Sequence, residues 1–153
     1  MDFLSDKVTI IFHFSLGNDK EIERELVLAK NFKLLADIEG EIEIIINNKI
    51  FFSEKYLLLL EFGIELKKWW VKVKSNEKTS FSYETMSFNE GPILEFAHIA
   101  EGKWRVFSQW QKFHCNQEIP QKVLMNSVEK FLGELESQFV KLYSLRINDF
   151  IGK

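Results

Sequence analysis

The sequence has few cysteines, prolines and glycines, and it lacks a long apolar run. A single cysteine, Cys115, excludes an intrachain disulfide and suits a reducing compartment. Only 2 prolines and 7 glycines occur among 153 residues, so long regular elements with short connections are expected. The longest apolar run near the middle, residues 56–60, is far shorter than the about 20 residues of a membrane helix. Because residues 1–6 also lack the basic and apolar parts of a secretory signal, we predict a cytoplasmic protein without a membrane partner.

The chain also lacks a basic excess. Its formal net charge is −3 and its sequence pI is about 5.7. Nucleic-acid binders draw most of their non-specific affinity from basic side chains on phosphates, so no nucleic-acid partner is predicted. The sequence contains neither a glycine-rich phosphate loop nor the His-Glu-x-x-His zinc motif, and no cofactor is predicted.

Apolar residues are abundant. They make up 46% of the chain, and 15 of them are phenylalanines, which excludes a disordered chain and supplies a sizeable core. At this length a single domain over residues 1–153 is expected.

Alternating apolar residues predict strands at residues 8–14, 34–46, 50–52, 81–86, 93–99 and 103–113. Asn47 and Asn48 suit the positive φ of a hairpin turn. Residues 21–30 fit either a helix or a strand, and we favour a short helix.

Helical periodicity predicts two principal helices. The first spans residues 56–73, is capped by Ser53, and has one polar stripe of Glu61, Glu65, Lys68 and Lys72. The second begins at Pro120, and its apolar stripe runs from Leu124 to Leu142. The tail after Ser144 is expected to dock loosely. This order predicts an α+β fold, a mainly antiparallel β-sheet with both helices packed on one face. The core is expected to contain Leu59, Phe62, Leu66, Phe131 and Leu135.

The candidate partner-binding residues are Glu39, Glu41 and Glu43. They fall on one face of the strand at 34–46, while Gly40, Ile42, Ile44 and Ile46 fall on the other. One interpretation is a solvated face that discourages edge-to-edge aggregation. The other is an acidic docking surface for a basic partner.

Other chemistry-bearing residues give weaker signals. His98, His114 and Cys115 lack the paired spacing of a zinc site, so no metal site is predicted. Glu84, Glu90 and Glu95 would suit acid–base work only if the fold brought them together, and no catalytic residue is predicted. Trp69 and Trp70 point about 100° apart on a helix, so at least one is expected at the margin of the buried face.

Three stretches carry a family resemblance. They are EGEIEI at 39–44 leading into KIFF at 49–52, FSYETM at 81–86 through GPIL at 91–94, and WRV at 104–106 through SQWQ at 108–111. These phrases resemble a family of short uncharacterised proteins from Bacillus-like bacteria, and with the two helices the likeness covers about residues 36–135. The resemblance implies no activity and no functional residues. In size and acidic charge the chain also resembles immunity proteins that neutralise polymorphic bacterial toxins.

These observations favour a non-catalytic cytoplasmic protein-binding domain with a basic protein partner, in the specific case an immunity protein that sequesters a toxin. Two alternatives stay open. One is a small-molecule-binding or enzymatic domain with a pocket between the sheet and the helix at 56–73. The other is a structural subunit that forms a homodimer.

Overall fold

The computed structural model describes residues 8–17, 22–85 and 92–151. The expectations for the first residues of the chain, for Met86 and for Glu90 lie outside these ranges.

The first sheet has three antiparallel strands in the order β1 (Ile10–Leu16), β2 (Glu39–Ile46) and β3 (Lys49–Leu58). The predicted alternation of β2 is confirmed, since Gly40, Ile42, Ile44 and Ile46 are all buried. Asn47 and Asn48 have φ of 51° and 68°, as the predicted hairpin turn requires. Gly40 is needed where it stands, because a Cβ there would lie 2.4 Å from the Ser15 carbonyl oxygen.

The second sheet contains four strands, paired antiparallel in chain order. They are β4 (Phe81–Tyr83), β5 (Leu94–Ala100), β6 (Lys103–Phe107) and the two-residue β7 (Ile119–Pro120). The α+β class and the antiparallel pairing are confirmed, although the strands divide into two hydrogen-bonded sheets.

Three α-helices accompany the sheets: α1 (Arg24–Leu28), α2 (Leu59–Lys74) and α3 (Gln121–Tyr143). The short helix favoured within residues 21–30 is therefore confirmed. Two 3₁₀ helices, Phe32–Ala36 and Ile147–Phe150, complete the described elements.

The core is an aromatic cluster between the helices and the sheets. Phe131 of α3 contacts Phe12 of β1 and Phe62 of α2, with ring centroids 5.3 and 5.8 Å apart. Trp69 of α2 meets Phe96 and Trp104 of the second sheet at 5.3 Å each. The predicted core is confirmed, because Leu59, Phe62, Leu66, Phe131 and Leu135 are all fully buried.

The start of α2 differs from the prediction. Residues 53–58 extend β3 instead of opening the helix, since Glu54 pairs with Ile42 and Leu57 with Gly40. The helix therefore begins at Leu59, and the residue that precedes it is Leu58, not a capping Ser53. Pairing with a neighbouring strand outweighs the helical periodicity of the local sequence.

Three strands are shorter than expected, and β4 is one of them, because it ends at Tyr83. Residues 34–36 belong to a 3₁₀ helix, whose first turn is closed by the Asn31 side chain accepting from the Lys33 amide at 2.8 Å, so β2 starts at Glu39. β6 ends at Phe107, because the Ser108 hydroxyl donates to the Ile93 carbonyl and accepts from the Trp110 amide, which turns the chain.

The expectations for the end of the chain are partly wrong. Pro120 ends β7 and precedes the first helical residue, Gln121. Leu142 is 47% exposed, so the apolar stripe of α3 ends at Phe139. Residues 145–150 are firmly packed, since Leu145, Ile147 and Phe150 are buried. No helix among the described residues is long and apolar enough to cross a membrane.

Candidate functional site

The candidate site is the outer face of the first sheet, which turns away from the core. β2 is its central strand, hydrogen-bonded to β1 on one side and β3 on the other. Glu39, Glu41 and Glu43 alternate with the buried residues of β2, so their side chains belong to this outer face. These three glutamates therefore do not protect a sheet edge from aggregation, because β2 is paired on both sides and has no free edge.

The strand register arranges the outer face in rows across the three strands. Glu43 lies between His13 of β1 and Ser53 of β3, and Glu41 lies opposite Ser15 of β1. Glu41 is exposed, whereas Glu39 and Glu43 are half-buried. The structure thus brings the three predicted residues together in one strip.

An apolar row adjoins the acidic strip at the far end of β2. Ile45 lies directly between Ile11 of β1 and Ile50 of β3. Ile11 is 41% exposed and Ile50 is 39% exposed, whereas Ile45 between them is half-buried, so the two ends of this isoleucine row are open to solvent. The outer face therefore combines a charged part with an apolar part, and sequence periodicity within single strands did not reveal that combination.

A bulge in β3 shapes the acidic end of the face. Between the pairs Ile42–Glu54 and Gly40–Leu57, two residues of β3, Lys55 and Tyr56, oppose Glu41 alone. Such bulges re-aim side chains and recur beside binding sites. Here the bulge presents Tyr56, whose side chain is 69% exposed.

Beside the bulge lies a cavity of about 270 Å³. Its lining residues include the acidic Asp37, Glu39 and Glu41, the basic Lys55, and the two tyrosines Tyr56 and Tyr143. The phenol of Tyr143 is uncharged at physiological pH, and burial raises its pKa further. Glu39 and Glu41 outnumber Lys55 in this lining, so the cavity suits a cationic group.

Sequence reasoning missed Asp37, Tyr56 and Tyr143. They come from the turn before β2, the bulge in β3 and the last residue of α3. Only the tertiary fold brings these separated segments together, so no local pattern signals them.

His98, His114 and Cys115 make separate contacts, and the buried Nε2 of His98 has no hydrogen-bond partner among the described residues. The His98 ring packs edge-on against Trp104, at 5.0 Å between centroids. His114 Nδ1 lies 3.1 Å from the Gln111 side-chain amide, and the Cys115 thiol donates to the Gln117 carbonyl at 3.8 Å. Within residues 8–17, 22–85 and 92–151, no group of three histidine, cysteine or carboxylate side chains is placed to hold a metal ion.

One of the three candidate catalytic carboxylates lies in the second sheet, and another follows one of its strands. Glu95 lies within β5 opposite Ser82 of β4, and exposed Glu84 follows β4. Glu90 lies outside the described residues.

One carboxylate that the sequence placed on a polar stripe is buried. Glu61 of α2 is only 7% exposed, and its Oε1 accepts a hydrogen bond of 2.7 Å from the Tyr83 hydroxyl. Burial, reinforced by this carboxylate and opposed by a hydrogen bond with Thr85, raises the pKa of Tyr83 above its ordinary range. This polar pair joins α2 to β4.

Trp69 and Trp70 differ in burial, as expected from their directions on the helix. Trp69 is buried and donates from Nε1 to the Thr79 carbonyl at 2.9 Å, whereas Trp70 is half-buried at the margin of α2. Trp104 is fully buried, and Trp110 stacks on Phe52 with ring centroids 6.2 Å apart.

Comparison with known proteins gives one family match. The sequence model of a family described as a domain of unknown function (DUF7878) matches residues 12–141, which span all of the candidate site except Ile11 and Tyr143. No curated protein and no solved structure matches the chain.

Proposed function

We propose a function from the surface residues of this chain. The chain belongs to the DUF7878 family, which is described as a domain of unknown function, so the family itself indicates no activity. The chain is a non-catalytic protein-binding domain, and its outer first-sheet face receives a basic protein partner. The specific partner is a toxin, which the chain sequesters as an immunity protein in the cytoplasm of a bacterial cell.

One observation carries the proposal. The Glu39, Glu41 and Glu43 strip lies in the middle of a sheet face, beside an isoleucine row whose two outer members are exposed to solvent. Carboxylates at alternate strand positions lie about 6.5–7 Å apart. That spacing is shorter than the Debye length of about 8–10 Å at physiological salt, so their fields add and steer a positively charged partner.

The apolar row supports a protein as the partner. Protein interfaces place apolar residues at their centre and charged residues at the rim. Ile11, Ile45 and Ile50 supply a partly exposed apolar surface directly beside the acidic strip. The neighbouring cavity at Tyr56 would accept one lysine or arginine side chain of the partner, since aromatic faces attract cations.

The alternative of a pocket between sheet and helix finds less support. The interface that would hold it is filled by Leu59, Phe62 and Leu66, all fully buried. A homodimer through the outer face is the other alternative, and the experiment below separates it from a basic partner.

The proposal is tested by capture, identification and reconstitution. Wild type and a Glu39→Lys, Glu41→Lys, Glu43→Lys variant are used to capture proteins from native bacterial extract, and each captured protein is then purified and rebound. A matched control reverses Glu77, Glu84 and Glu101, three exposed carboxylates outside the first sheet. We expect wild type and control to bind the same basic protein and the strip variant to lose it.

Two outcomes contradict the proposal. If the strip variant binds the purified partner as tightly as the control, the strip is only a solvated face. If no protein is captured and light scattering shows a dimer that the strip variant abolishes, the face joins two copies of the chain.

A further inference from the structure

The outer edge of β1 is a row of backbone groups that point away from the first sheet. β1 is an outer strand of that sheet. The Asn47 N–H donates to the Thr9 carbonyl, and the Gly17 N–H donates to the Glu39 carbonyl, both at 3.0 Å. These bonds continue the register of β1 with β2, so the odd-numbered residues of β1 direct their N–H and C=O groups to β2. The even-numbered residues direct theirs outward.

One of these outward groups is engaged, and the others are open. The Ile10 carbonyl accepts from the Ser127 hydroxyl of α3, which agrees with its outward direction. Within residues 8–17, 22–85 and 92–151, the outward backbone groups of Phe12, Phe14 and Leu16 have no hydrogen-bond partner. Such a row is a template for pairing with a further strand.

A groove runs along this edge between β1 and α3. A cavity of about 310 Å³ lies between residues 10–13 of β1 and the helix, and another of about 560 Å³ lies between residues 14–16 and the helix. Glu134 of α3 lines both cavities, so the two adjoin. The helix therefore lies beside the edge without closing on it, and the gap follows β1 along its length.

Apolar side chains at one end of the groove are partly exposed. Phe14 and Leu16 of β1 are half-buried, and Leu142 of α3 is 47% exposed. All three line the larger cavity. An apolar group bound there would remove from water a surface that solvent now reaches, which favours binding.

We propose that this groove is a second binding site, which takes an extended peptide segment of a partner protein as a fourth strand of the first sheet. The segment pairs antiparallel with residues 12–16, the more stable arrangement per residue, and exchanges backbone hydrogen bonds with Phe12, Phe14 and Leu16. A second extended backbone presents donors and acceptors at the matching spacing of about 6.5–7 Å, which a compact small molecule does not.

The two faces of the sheet decide the side chains of this segment. Alternate side chains lie over the groove and are apolar. Those between them lie on the outer face beside His13 and Ser15. Across from these two residues are Glu43 and Glu41 of the acidic strip. Strands lie about 4.8 Å apart, so the segment is roughly 10 Å from β2, about one Debye length at physiological salt, and its outer side chains are basic. This charge preference rests on the proposed function, whereas the strand pairing does not.

Amide hydrogen exchange measured by NMR tests the pairing directly. The probe is an acetylated and amidated five-residue peptide in which three leucines alternate with two lysines. Saturating peptide should slow the exchange of the Phe12, Phe14 and Leu16 amides at least about tenfold, since amides at an open edge are unprotected. N-methylation of two leucines should abolish binding, because the leucine N–H groups face β1, whereas N-methylation of both lysines should leave binding intact.

Variants of α3 test the groove. Leu142→Ser should weaken peptide binding by about three- to tenfold, since it removes apolar surface from the larger cavity. Val140→Ser is the matched control, because Val140 is also an exposed apolar residue of α3 but lines neither cavity. The same affinity in both variants would overturn the groove as the binding site.

A second peptide, with threonine in place of lysine, separates this inference from the proposed function. Both peptides should protect the three amides, and the lysine peptide should bind about three- to tenfold more tightly. The Glu39→Lys, Glu41→Lys, Glu43→Lys variant should remove that preference. Equal binding with the amides protected would contradict the charge preference and leave the strand pairing. Amides that peptide does not protect would overturn the strand pairing, whatever the capture experiment shows. Amides protected without peptide would overturn it too, and protection that falls on dilution would assign the edge to a second copy of the chain.

Discussion

The buried pair of Glu61 and Tyr83 gives a sharp test of the packing between α2 and β4. Tyr83→Phe removes the hydroxyl that donates to the Glu61 carboxylate at 2.7 Å, while the ring stays in place against Phe62 at 4.9 Å. Hydrogen bonds to charged groups contribute about 1.5–3 kcal/mol. We therefore expect the free energy of unfolding at pH 7 to fall by about 1.5–3 kcal/mol.

The same pair predicts a pH dependence with a definite sign. The pKa of Tyr83 is raised in the folded protein, mainly by burial, so the folded state holds the phenol proton more tightly than the unfolded state. This difference in pKa contributes to the free energy of unfolding. The contribution is fully present below the tyrosine pKa of the unfolded chain, about 10, and is lost as the pH rises above that value. Above that pH the wild type loses about 1.4 kcal/mol of unfolding free energy per pH unit, whereas Tyr83→Phe has no phenol to titrate there. The difference in unfolding free energy between the two proteins should therefore narrow between pH 7 and pH 11.

Urea denaturation at pH 7 and at pH 11 measures both effects. Tyr56→Phe is the matched control, because Tyr56 is largely exposed and its substitution should change stability by less than about 0.5 kcal/mol. A Tyr83→Phe variant as stable as the control at pH 7 would refute the hydrogen-bond argument. A gap that stays constant up to pH 11 would refute the argument from the raised pKa.

Three further predictions concern the core, the sheet and metal binding. Phe131→Ala should cost about 3–5 kcal/mol in reversible denaturation, and a loss under roughly 1 kcal/mol would contradict its burial. Gly40→Ala should cost about 1–3 kcal/mol, because the new Cβ would meet the Ser15 carbonyl oxygen; an unchanged urea midpoint would argue against that close approach. Elemental analysis after dialysis should find no stoichiometric zinc, and one tightly held equivalent that His114→Ala removes would overturn this prediction.

The periodicity of apolar residues was enough to predict elements whose structure depends on the local sequence alone. β2 alternates buried isoleucines with glutamates, and α3 repeats its apolar residues every three or four positions, so both were recognised. Residues 53–58 were misassigned because their structure depends on pairing with β2, which a local pattern does not contain.

The candidate site was predictable only in part. Alternation along β2 was enough to place Glu39, Glu41 and Glu43 on one face. The isoleucine row depends on the register of three strands, and the adjoining cavity depends on Asp37, Tyr56 and Tyr143 from three separate segments. Likewise, Glu61 is buried beside Tyr83, 22 residues further along the chain, although its helical position suggested a solvated stripe.

The acidic strip is proposed to steer a basic protein onto the outer face of the first sheet. The most direct measurement is the association rate constant with the reconstituted partner, taken over a series of salt concentrations. For wild type and the Glu77, Glu84, Glu101 control, the rate should fall steeply with added salt. For the Glu39→Lys, Glu41→Lys, Glu43→Lys variant, it should be at least about tenfold slower at low salt and should not fall as salt is added. Equal rates with equal salt dependence in all three proteins would contradict the claim.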